Sequence, residues 1–71
     1  MVTRQDLDNW FMYHKPDADQ ATAYEKLRSA AHEFALAILE LTPPSADQTT
    51  AIRKVREAVM TANAAIACGG K

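Results

Sequence analysis

The stretch "LTPPSADQ", residues 41–48, ends one helix and begins another. Neither Pro43 nor Pro44 can donate a backbone N–H, so a helix arriving from the N-terminal side must stop there. Ser45 and Gln48 then show the S-x-x-Q spacing of a helix start, where a hydroxyl oxygen accepts from the unpaired N–H groups of the first turn. A stop and a start this close together turn the chain back on itself, so the sequence predicts an antiparallel helical hairpin.

The segments on either side carry helical periodicity. Upstream, Tyr24, Leu27, Ala31, Phe34, Ile38 and Leu41 recur at alternating spacings of three and four and form one stripe. This helix is expected over about 18–41. Asp17 and Gln20 have capping-box spacing, and Pro16 biases Lys15 toward extended geometry just before them. Downstream, Ile52, Val55, Val59, Ala62 and Ile66 mark a second helix over 46–67, ended by Gly69 and Gly70. Residues 4–11, "RQDLDNWF", follow a candidate N-cap at Thr3 and read as a short helix of about two turns. The fold class is all-α, in one domain over 1–71, with no strand signal and no repeat.

A lone hairpin of this composition leaves half of each helix in water, and fourteen of its residues are alanines with little area to bury. The first long helix is also apolar on a second side, through Ala23, Ala30, Leu36, Ala37 and Leu39. A helix apolar on more than one side needs more than one neighbour. The expectation is therefore a symmetric helical oligomer.

Eight basic and nine acidic side chains give a net charge of -1, without the overall positive field of a DNA or RNA binder. A small anion held in a local basic site remains compatible. The single cysteine, Cys68, excludes an internal disulfide and a cysteine-based metal site within one chain. No apolar run approaches the ~18 residues of a membrane span, and the N-terminus has no apolar leader, so a soluble cytosolic protein is expected. No glycine-rich phosphate loop, metalloprotease motif, nucleophile elbow or carboxylate pair is present, and neither an enzyme nor a cofactor is expected.

The candidate binding residues gather in "NWFMYHKPDADQATAYEKLR", residues 9–28. Tyr13 lies in a loop, where it is either a ring folded onto the hairpin or a platform for a stacked base. Trp10 and Phe11 are read as packing residues that anchor the short helix. Arg28 is either a solvated charge or a planar, bidentate phosphate contact. Tyr24 and Lys26 lie close to it in sequence. His14 offers a donor to a phosphate or base edge, or a capping group. Arg28 lies about 16 Å along its helix. To share one small ligand with Tyr13, the loop must fold back or the two must come from different subunits. Late in the second helix, Asn63 is read as an inter-helix hydrogen bond in an alanine seam. His32 is read as a surface residue, and Arg53, Lys54 and Arg56 as a solvated face.

In order and spacing, "FMYHKP", then Gln20, Tyr24, Leu27 and Arg28, then "LTPPS" and "EAVMTANAAIA" resemble the helical-hairpin family of phage immune-evasion sponges. These are the anti-CBASS cyclic-oligonucleotide sponges and the related hairpin domain of Thoeris anti-defence sponges. The likeness covers residues 11–67. It implies a hexamer built as a trimer of dimers, acting in the cytoplasm of the host bacterium. Pockets between protomers would take cyclic dinucleotides such as cyclic GMP–AMP, and in some members cyclic trinucleotides or cyclic ADP-ribose isomers, without degrading them. By this resemblance Tyr13 stacks on a base and Arg28 meets the phosphate, with His14, Tyr24 and Lys26 as further candidates. Relatives often carry an arginine just after "NAAIA". Here Cys68 and Gly69 stand in that place, which leaves Asn63 and Lys71 as weak candidates for a second, trinucleotide site.

Overall fold

The computed structural model describes residues 1–71 as three helices: α1 (Arg4–Phe11), α2 (Ala18–Leu41) and α3 (Ala46–Ala67). Local chemistry sets each boundary. Thr3 and Asp6 form a reciprocal capping box at α1, with Thr3 Oγ1 accepting from the Asp6 N–H at 3.1 Å and Asp6 Oδ2 accepting from the Thr3 N–H at 2.9 Å. Asp17 and Gln20 do the same for α2 at 2.8 and 3.1 Å. At the far end of α3 the Gly70 N–H reaches the Ala65 carbonyl and the Gly69 N–H reaches that of Ile66. This is a Schellman closure, which requires the positive φ of Gly69, +65°; Gly70 is also left-handed at +77°. Larger side chains would be strained there.

Ser45 caps α3 as the S-x-x-Q spacing predicts, accepting from the Gln48 N–H at 3.1 Å. The glutamine amide, however, does not return to the Ser45 backbone. Gln48 is the one buried residue, and its Nε2 lies 3.0–3.2 Å from the Thr42 carbonyl, the Thr42 hydroxyl and the Leu39 carbonyl. It thus satisfies acceptors that the end of α2 leaves open. At the opposite end Gln20 acts in the same way, donating from Nε2 to the Ile66 carbonyl at 3.3 Å. The third residue of each long helix therefore ties the other helix's C-terminus.

Gln48→Ala should lower the melting temperature of the hairpin. It orphans part-buried carbonyls at a cost of about 1–3 kcal/mol, equivalent to several degrees in a chain this short. Unchanged melting would mean that the prolines alone hold the turn.

Only α2 and α3 make extended contact. Their seam contains Gln20, Tyr24, Leu27, Ala31, Ala35 and Ile38 from α2, facing Ile52, Val55, Val59, Ala62 and Ile66, all half-buried. Two residues of the expected α2 stripe fall outside it. Phe34 is 60% exposed and Leu41 is 83% exposed. A straight 3.6-residue helix drifts away from a strict seven-residue repeat, and small Ala35 takes the place next to α3. Phe34 instead borders an apolar groove of ≈ 580 Å³ on one face, with Leu27, Ala31, Ile38, Val55 and Val59 among its walls.

The molecule is a slab. Its extents are 45 × 31 × 15 Å, the thinnest hardly more than the 10–12 Å or so of one helix. The radius of gyration is 15.2 Å, where a compact chain of this length would have about 11 Å. No apolar side chain is buried. The accessible surface is 6005 Å², against about 4,400 Å² for a folded monomer of this mass.

Candidate functional site

The loop between α1 and α2 is built around the Asn9 backbone carbonyl, one of the last four in α1 and hence without a helical partner. The His14 ring donates to it from Nε2 at 2.6 Å. Since a carbonyl can only accept, this nitrogen carries the proton. The Asn9 side chain donates to the Cys68 carbonyl at 3.4 Å, and the Cys68 thiol points back at the Asn9 carbonyl at 3.9 Å. One residue on, the Trp10 indole N–H donates to Lys71 O at 3.1 Å. Met12 ends the helix in extended geometry, and Tyr13 follows it.

Tyr13 is 81% exposed, so within one chain it is not a ring folded onto the hairpin. Trp10 lines a depression at the end of α3 with Thr61, Ala64, Ala65 and Cys68, but it is 43% exposed, so the packing reading holds only in part. Phe11 is a correction: it is 83% exposed and does not anchor the short helix by burial in its own chain. It lines a shallow depression with Leu7, Asp8 and Met12.

Arg28 is exposed on α2, where it shares an open polar depression with Glu25, Ser29 and His32. Glu25 and His32 lie three and four residues from Arg28, and Ser29 lies four from Glu25 and three from His32, so helical spacing could have named all three from the sequence. Tyr13, His14, Tyr24 and Lys26 do not line that depression. Tyr24 is half-buried at the α2–α3 seam, and Lys26 is exposed. Tyr13 and Arg28, the two residues expected to grip one ligand, are thus not joined in a common depression of a single chain.

The second pair of candidates is also separated. Lys71 lines clefts between α1 and the end of α3, together with Asn9 or Trp10. Asn63 lines neither of them. The expected inter-helix hydrogen bond of Asn63 does not form, and its Oδ1 is buried without a donor. Alanines on either side keep the helices close but offer nothing that can donate.

No group of His, Cys, Asp and Glu side chains could hold a metal ion. No helix is long and apolar enough to cross a membrane. Tyr13 and Arg28 are both exposed, on a molecule whose apolar faces are uncovered.

Comparison with curated proteins and with solved structures gives no match. Comparison with protein families does: residues 4–67, all three helices, match the family described as "Acb2/Tad1, hairpin domain". The chain belongs to that family, the hairpin-bearing sponges with which phages counter CBASS and Thoeris defence.

Proposed function

We propose that this protein sequesters cyclic dinucleotides, cyclic GMP–AMP among them, in pockets formed between copies of a symmetric oligomer, and releases them unaltered. The observation that carries this reading is the family match over residues 4–67, with Tyr13 and Arg28 both exposed and both unoccupied by their own chain. A cyclic dinucleotide has two flat bases and two phosphodiester charges. One aromatic platform and one arginine per half-site complement each half, with about 1–3 kcal/mol per stacked base. Because the two residues share no depression in one chain, the reading takes them from different copies. The hexamer of the family is the assembly adopted here.

The physical support for assembly is independent of the family. The surface exceeds that of a compact monomer by about 1,600 Å², about twice the share that one partner contributes to a standard protein–protein interface. The groove beside Phe34 gives a partner helix an apolar bed. Holding a signal at nanomolar concentration needs about -12 kcal/mol, which a shallow site on a single hairpin does not provide.

A second reading follows from the family description itself, which joins two branches. In it the ligand is a cyclic ADP-ribose isomer of Thoeris signalling. Native mass spectrometry with cyclic dinucleotides, cyclic trinucleotides and cyclic ADP-ribose isomers separates the two, because it counts chains and bound ligands together. Binding of cyclic GMP–AMP to an oligomer is the expected result. After denaturation the supernatant should contain intact ligand; a linear product would make the protein an enzyme. Silence across the whole panel would leave only a structural helical oligomer or interaction module.

A further inference from the structure

We propose that Asn9 and His14 are positioning residues for the Tyr13 ring, with His14 acting through the loop and making no contact with the ligand. This inference rests on the reading of Tyr13 as the platform for a base. The loop from residue 10 to 13 is closed by a hydrogen bond between the His14 ring and the Asn9 carbonyl at 2.6 Å. Tyr13 adjoins that closing residue, so its backbone is fixed on one side by His14 and on the other by the end of α1. Pro16 and the Asp17 cap then hold the chain leading into α2.

Little else constrains the ring. It is largely exposed, and α1 buries no residue that could anchor it by packing. The loop is referred to the hairpin through the Asn9 side chain, which donates to the Cys68 carbonyl at the end of α3. The route is thus short: α3 terminus, Asn9, His14, Tyr13. An exposed aromatic platform loses rotational and backbone freedom when it stacks on a base, and a preclosed loop reduces that cost. The Nε2 proton that closes the loop is the donor His14 would otherwise offer to a phosphate, so the geometry favours closure.

The test is a pair of double-mutant cycles read as the Kd for cyclic GMP–AMP. His14→Ala and Asn9→Ala should each weaken binding about threefold to tenfold, the scale of one net hydrogen bond. His14→Gln, which keeps a donor at nearly the same reach, should restore most of the affinity. In the Tyr13→Ala background neither His14→Ala nor Asn9→Ala should cost anything more. Helical content should be unchanged throughout, since α1 lies outside the α2–α3 seam.

Additive losses would overturn the proposal and make His14 a direct contact. So would unchanged affinity in both single variants. If Tyr13→Ala itself costs nothing, the platform reading fails and the inference with it. That pattern differs from the other two, in which Tyr13→Ala still weakens binding.

Discussion

Arg28→Ala is expected to remove most of the affinity for a cyclic dinucleotide while leaving the hairpin and its assembly intact. The side chain is exposed, lies outside the α2–α3 seam and shares its depression only with Glu25, Ser29 and His32. Its loss therefore disturbs no packing within its own chain. Hydrogen bonds to charged groups contribute about 1.5–3 kcal/mol each, and a two-fold ligand meeting two arginines would lose both contributions. The expected weakening is on the order of 10² to 10⁴ in Kd, read by calorimetry at fixed salt. Arg28→Lys should lose less, because the charge remains while the planar fork does not. Raising the salt concentration should weaken the wild type more than the alanine variant, since screening acts on the charge. An Arg28→Ala protein that binds as tightly as the wild type would move the phosphate site elsewhere.

Ile52→Lys addresses the fold. Ile52 is half-buried in the seam against α2 and sits nearly two turns into α3. The substitution forfeits a share of the about 1.5–3 kcal/mol that full burial of an isoleucine gives. It also forces an ammonium either to remain partly desolvated or to bend out along its stem toward water. Each kcal/mol is about 4–8 °C of melting temperature in a domain of this size. A fall of about 10 °C or more is therefore expected by circular dichroism, with ligand binding lost as the hairpin opens. Ile52→Val, which deletes one methyl group, should cost only about 0.5–1.5 kcal/mol. Equal melting of the lysine variant and the wild type would show that the seam does not pass through this position.

The elements were legible because their boundaries are written in residues with a single local use. Two prolines, a serine and an aspartate with a glutamine three places on, and a glycine pair act over a few bonds. They mean the same whether or not a partner is present. The seam was less legible. Spacings of three and four select Phe34 and Leu41 as readily as Ala35, and only the placement of α3 decides among them. Asn63 shows the opposite difficulty. A polar residue among alanines implies a hydrogen bond, but the sequence does not reveal that no donor stands opposite.

At the candidate site, the exposure of Tyr13 and Arg28 agrees with the residue types that suggested them, yet their arrangement was not legible. Residues 13 and 28 sit on different elements, and nothing local dictates the angle between a loop and a helix. The Asn9 node was missed for a related reason. Its acceptor is a backbone carbonyl, which every residue possesses, and its partner Cys68 is fifty-nine positions away. Sequence patterns identify side chains, and this junction is made largely from main chain.

The crossed glutamine ties have a bearing on how such a chain can vary. Gln20 and Gln48 measure the two long helices against each other from opposite ends, so lengthening one alone would carry a glutamine past its carbonyl. Insertions and deletions inside the hairpin can then be tolerated only as matched pairs of whole turns, one in each arm. In descendants of this sequence the arms must grow or shrink in step, and the first loop is held to its length by the closure of His14 on Asn9.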